Sequence, residues 1–160
     1  MAIMEEAEGV DIIDEKEVEN RCIMASLPYL LADKRRGAQI SAGSFWKRAK
    51  VEDEDERIEK LTEESTSPRL ISTGELNNLQ ELYLASEAMV VCRFNPPSIL
   101  NAVATLLGSF YIFNMQFPKG SGGLEKNVFL FLEHMLLGQT SATLPLSVEN
   151  VLSDLQKVKN

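Results

Sequence analysis

A mainly α fold of the α+β class is predicted: a three-helix C-terminal domain with a small β-hairpin, preceded by a largely disordered charged tail with one short helical segment. Composition that changes near residue 70, helical apolar spacing after it, and two short β-favouring runs between residues 82 and 94 are the observations behind it. At 160 residues and 44% hydrophobic content, the chain can supply one core. The expected division is a charged tail over 1–69, with a helical segment near 15–32, and a small helical domain over 70–160.

In the first half, charge comes in blocks. Residues 5–19 hold eight acids against the single base Lys16, residues 34–50 are basic, and residues 52–64 are acidic again. Like charges in blocks bury little apolar surface, so this composition predicts a solvated chain. Residues 22–31 are the exception. Pro28 is tolerated in a first helical turn but not in an interior, which predicts a short helix, a break and a further turn.

From residue 70 onward the pattern is that of a fold. Leu82-Tyr83-Leu84 and Met89-Val90-Val91-Cys92-Arg93-Phe94 predict a hairpin or two short strands, with helix as the alternative for the first. Pro96-Pro97-Ser98 opens a helix whose apolar run extends from Ile99 to Phe117, with Pro118 ending it. Leu124, Val128, Phe131, Leu132 and Met135 share one face of a second helix that Gly138 terminates. Ser147 caps a third, with Val148, Val151, Leu152, Leu155 and Val158 as its apolar stripe.

Net charge of −8 disfavours nucleic acid and anionic membrane surfaces. The N-terminus lacks the basic and apolar parts of a secretory signal, so an intracellular location is expected, the nucleus ahead of the cytoplasm alone. Cys22 and Cys92 with the single histidine, His134, cannot make an ordinary Cys/His zinc site, and in a reducing compartment both thiols are expected free. Glu133 and His134 are helical neighbours about 100° apart, which does not make an acid/base dyad. No catalytic, cofactor or metal residues are assigned, and no enzyme activity is expected.

Four segments carry binding expectations. Val10, Ile12 and Ile13, followed by acids, resemble the SUMO-interacting motif, in which an extended aliphatic segment adds to a sheet edge. Lys34 and Arg35, then Lys47, Arg48 and Lys50, resemble a bipartite nuclear localisation signal read by an importin. Trp46 beside that second cluster could stack on a base, and Ser65, Thr66 and Ser67-Pro68 form a candidate phosphorylation site in a flexible linker. Phe110, Tyr111, Phe113 and Phe117 exceed what one helix face needs for a core, which makes them the candidate partner or homodimer surface, with core packing as the competitor.

Two alternative functions follow from other stretches. Lys119-Gly120-Ser121-Gly122-Gly123 precedes a helix and could hold a nucleotide or phosphate, although its order is not that of a P-loop. Residues 94–118 carry no formal charge and are long enough to anchor a protein in a bilayer, against which stand their recurring amides and hydroxyls. The leading expectation is a non-enzymatic protein-interaction module.

Ala88-Met89-Val90-Val91-Cys92 and the aromatic run Phe110-Tyr111-Ile112-Phe113-Asn114, with Pro118-Lys119 after it, give residues 70–140 a resemblance. This stretch is similar to the C-terminal region of a group of uncharacterised fish proteins, some in mobile-element or zinc-finger contexts. The resemblance implies no activity. Zinc-finger cysteines are not present here, so DNA binding does not carry over.

Overall fold

The computed structural model describes residues 14–31, 45–50, 57–118, 124–138 and 144–159. Among them run, in order, α1 (Glu15–Leu30), β1 (Trp46–Arg48), α2 (Ile58–Glu63), β2 (Arg69–Glu75), β3 (Asn78–Ser86), β4 (Met89–Arg93), α3 (Ile99–Ile112), α4 (Leu124–Leu137) and α5 (Leu146–Lys159). The four strands form one sheet in the order β1-β2-β3-β4, with β1 parallel to β2 and the other two pairs antiparallel. A three-helix domain with a small hairpin is therefore not the architecture: five helices pack with a four-stranded mixed sheet. Within the segment expected to be a charged tail, α1, β1 and α2 supply two helices and an edge strand.

The sheet alternates as strand geometry requires. Leu70, Leu82 and Leu84 join Trp46 on one face and enter the main core with α1, α3, α4 and α5. Ile71, Tyr83 and Ala85 point the other way and meet Leu61 of α2. The last five residues of β3 are consequently all buried, as befits a central strand covered on both faces.

Tight turns join the antiparallel strands β2, β3 and β4. Gly74 sits at φ 91° beside the β2 bulge, where a Cβ would run into the carbonyl of Asn78. Between β3 and β4 the two-residue loop is Glu87-Ala88, both with positive φ (51° and 62°), so Ala85 and Ser86 belong to β3. That backbone suits Asn-Gly best, and Glu-Ala occupies it under local strain. The strip before β2 holds the turn in place, since Glu87 and Ala88 donate their N–H groups to the carbonyls of Thr66 and Ser65.

Helix α1 runs through Pro28 to Leu30 without the expected break. Pro28 lies in the last turn, where one missing N–H bond is the main cost, and its ring is buried. Asp14 caps the other end, its carboxylate accepting from the Lys16 N–H at 3.0 Å. Helix α3 ends at Ile112, five residues before the expected stop, because Asn114 turns to φ 51°. In α4 burial does not follow one stripe: residues 128 to 133 are all buried, whereas Met135 is exposed. Contact with α1, α3 and α5 explains this, since a helix surrounded by neighbours is apolar all round.

One polar node locks these layers together. Arg21 of α1, only 6% exposed, pairs through Nε with Glu17 at 3.0 Å. Its other nitrogens donate to the carbonyls of Leu76, in the β2–β3 turn, and Pro97, ahead of α3. Glu17 in turn accepts the Ile99 N–H at 2.7 Å, placing a carboxylate at the start of α3.

Candidate functional site

Of the four aromatics expected to form a partner surface, the structure divides the set in two. Phe110 is 2% exposed and stands edge-on to Phe129 and Phe117, at 4.9 and 5.2 Å, while Phe117 stacks on Phe129 at 5.1 Å. Together with Phe45, edge-on to Phe129, these rings are core. Tyr111 and Phe113, by contrast, remain half exposed, and Ile112 between them is 81% exposed.

Helical rotation accounts for the split. Phe110 continues the buried line of Ala102, Val103, Leu106 and Leu107, and the next residues turn away from the core just as the helix ends. Tyr111 is then fixed from its far end, its hydroxyl donating to Oε2 of Glu133 on α4. Glu133 is 1% exposed, so a buried carboxylate holds the ring of an exposed tyrosine. Burial, the bond to Glu133 and its charge raise the Tyr111 hydroxyl to about 12, which keeps it protonated as the donor.

Leu136 and Leu137 follow Glu133 by three and four positions, on the same face of α4, and are 43% and 50% exposed. Met135 at the margin is also exposed. Tyr111, Ile112 and Phe113 at the end of α3, and Leu136 and Leu137 at the end of α4, are thus exposed apolar residues on two helices that the Tyr111–Glu133 bond ties together. Residues 94–118 carry no formal charge, nor do residues 135–138. Exposed apolar side chains that lie close together mark interaction sites, whereas single scattered ones are ordinary. The Tyr111–Glu133 pair, on which the arrangement depends, was not legible because the two residues are 22 positions apart.

Other expected sites fare differently. Val10, Ile12 and Ile13, Lys34 and Arg35, and residues 119–123 lie outside the described residues. Lys47 and Arg48 sit in β1, paired with Ile71 and Ser72 of β2. Trp46 is not free to stack on a base, because it is 6% exposed and its Nε1–H donates to the Ser72 hydroxyl at 2.7 Å. Ser65 is fully buried with its hydroxyl bonded to the Leu61 carbonyl, whereas Thr66 is exposed and Ser67 half-buried. Cys22 is exposed and Cys92 half-buried, both as free thiols. No helix among the described residues is long and apolar enough to cross a membrane. Fourteen residues of α3 reach about 21 Å, short of the roughly 30 Å of a bilayer core.

A trough of about 310 Å³ between β1 and α2 is lined by Ala49, Lys50, Arg57, Ile58, Glu59 and Thr73 and lies open to solvent. Among the described residues, no group of three or more His, Cys, Asp or Glu side chains is placed to hold a metal ion.

Glu125, in the first turn of α4, is raised by burial from 4.5 to about 7, against the opposing charges of Arg69 and Lys47. Its folded form therefore holds a proton that the unfolded chain has released. The corresponding stability is full below pH 4.5 and is lost as pH rises towards 7. The stability of the native chain relative to Glu125→Gln should fall between pH 5 and pH 8 in urea titrations. A gap that stays constant over that range would contradict this assignment.

Comparison of the chain with family models, with curated proteins and with solved structures finds no match.

Proposed function

We propose that this chain is a non-enzymatic protein-interaction module whose docking face is the apolar end of α3 and α4. The observation that carries it is the exposure of Tyr111, Ile112 and Phe113 at the end of α3 and of Leu136 and Leu137 at the end of α4, two helices tied by the Tyr111–Glu133 bond. Aromatic and aliphatic anchors on rigid helices lose little side-chain freedom on binding, which favours a protein partner.

A photo-activatable residue at position 112 tests the reading in cells. A discrete adduct of defined mass is expected from position 112, lost on Leu136→Lys, with none from exposed position 80 on β3. No adduct from position 112, or the same adducts from both positions, would remove the proposal.

Nuclear entry through Lys34, Arg35, Lys47, Arg48 and Lys50 remains a sequence-based part of this proposal. Importin grooves read an extended chain, and β1 presents Lys47 and Arg48 within a sheet, so recognition of the second cluster requires β1 to leave β2.

A further inference from the structure

We infer that α2 is a flap over the second face of the sheet, hinged at its C-terminal end, that opens on the side of β1 while the main core stays folded. This device is separate from the ends of α3 and α4.

The two faces of the sheet are covered unequally. On the main face, Leu70, Leu82 and Leu84 pack among buried residues of α1, α3, α4 and α5. On the other, the buried cluster among the described residues is Leu61, Ile71, Tyr83 and Ala85, with Ala49 and Ile58 at its margin. Leu61 is the one buried side chain that α2 contributes. Six residues are too few for a helix to persist without packing, so α2 keeps its place through Leu61 and a few bonds. Elements with so little buried apolar contact lie at the low end of local stability.

The C-terminal end of α2 is tied to the β3–β4 hairpin. Thr62 Oγ1 lies 3.2 Å from the Tyr83 hydroxyl, within hydrogen-bond reach. Just beyond the helix, the carbonyls of Ser65 and Thr66 accept the Ala88 and Glu87 N–H groups at 2.9 and 3.1 Å. Ser65 also donates its hydroxyl back to the Leu61 carbonyl at 2.6 Å, which binds this strip to the helix. The start of α2 is different. Arg57 makes no side-chain cap bond there, and the trough of about 310 Å³ opens between Arg57, Ile58 and Glu59 on one side and Ala49 and Lys50 on the other. Anchors at one end and open space at the other set the direction of movement. Ile71, paired with Lys47 of β1, is then uncovered ahead of Ala85, which pairs with Val90 of β4 beside the tied turn.

Thiol labelling of the folded full chain tests the flap, with Ile71→Cys, Ala85→Cys and, in the main core, Ala102→Cys as separate variants. All three positions are 0% exposed. Peptide mass mapping reads each site, so Cys22 and Cys92 stay in place. Each rate is set against the limit that the variant's own global unfolding equilibrium, from urea titration, allows. Ile71→Cys should exceed its limit by roughly tenfold or more, with little dependence on low urea, because a local opening exposes little surface. Ala85→Cys should exceed its limit by a smaller factor, and Ala102→Cys should match its own. Either of the first two variants decides the flap if the other fails to fold. Labelling at the global limit on the second face overturns the inference, as does an equal excess at Ala102→Cys. A larger excess at Ala85→Cys than at Ile71→Cys overturns the C-terminal hinge.

Discussion

Arg21→Ala should destabilise the fold by about 3–5 kcal/mol, the loss expected when one member of a buried ion pair is removed. Three connections fail at once. The Leu76 and Pro97 carbonyls lose their donors, and Glu17 loses its counter-charge while still receiving the Ile99 N–H. Since those partners lie in the β2–β3 turn and at the start of α3, the damage spreads from α1 to both layers. Urea unfolding measures the effect. Replacing both residues, as Glu17→Gln with Arg21→Met, should cost less than Arg21→Ala alone, because no buried charge is left unpaired. A loss under about 1 kcal/mol for Arg21→Ala, the scale of a surface pair, would mean that Arg21 is an ordinary surface residue.

Phe129→Ala is expected to cost a similar amount, about 3–5 kcal/mol for a fully buried phenylalanine. Its ring is 0% exposed and touches Phe45, Phe110 and Phe117, which come from three separate parts of the chain. Truncation removes all three of these ring contacts and leaves only the edge-on Phe110–Phe117 pair among the four. Chemical denaturation of this variant gives the magnitude, and Phe129→Leu should recover part of it by restoring volume. Full stability in the alanine variant would show that the four rings are not a packed unit.

The strands and helices after residue 70 were legible where local chemistry decides them. The helix over Ile99–Ile112, the helix over Leu124–Leu137 and the hairpin of β3 with β4 follow from their apolar spacing and β-favouring runs. Strands β1 and β2 were missed for different reasons. Trp46–Arg48 is three residues inside a basic block and becomes a strand only through its parallel pairing with β2, a long-range event without a local signature. In β2, Leu70-Ile71-Ser72-Thr73 is a usable β signal followed by Gly74, but it is short and begins at the edge of a charged stretch.

The N-terminal half shows the same limit from the other side. Glu17 and Arg21 look like one more i, i+4 surface pair in a charged stretch. Their burial comes from partners 55 to 82 positions away, which no local window contains. For the candidate site, Tyr111 and Phe113 were identified and Ile112, Leu136 and Leu137 were not. The excess of aromatics was visible in sequence, but which of them the core would consume depends on where α3 stops, and Asn114 sets that.

Native-state hydrogen exchange on the full chain tests most directly whether α1 is an integral part of this core. The bonded amides of α1 around Arg21 to Leu27 should exchange with nearly the same opening free energy as those of Leu82 and Leu84 in β3 and Val103 to Leu107 in α3. Exchange of α1 faster by several orders of magnitude, with the sheet and α3 still protected, would contradict the shared core and return the N-terminal half to a separate tail.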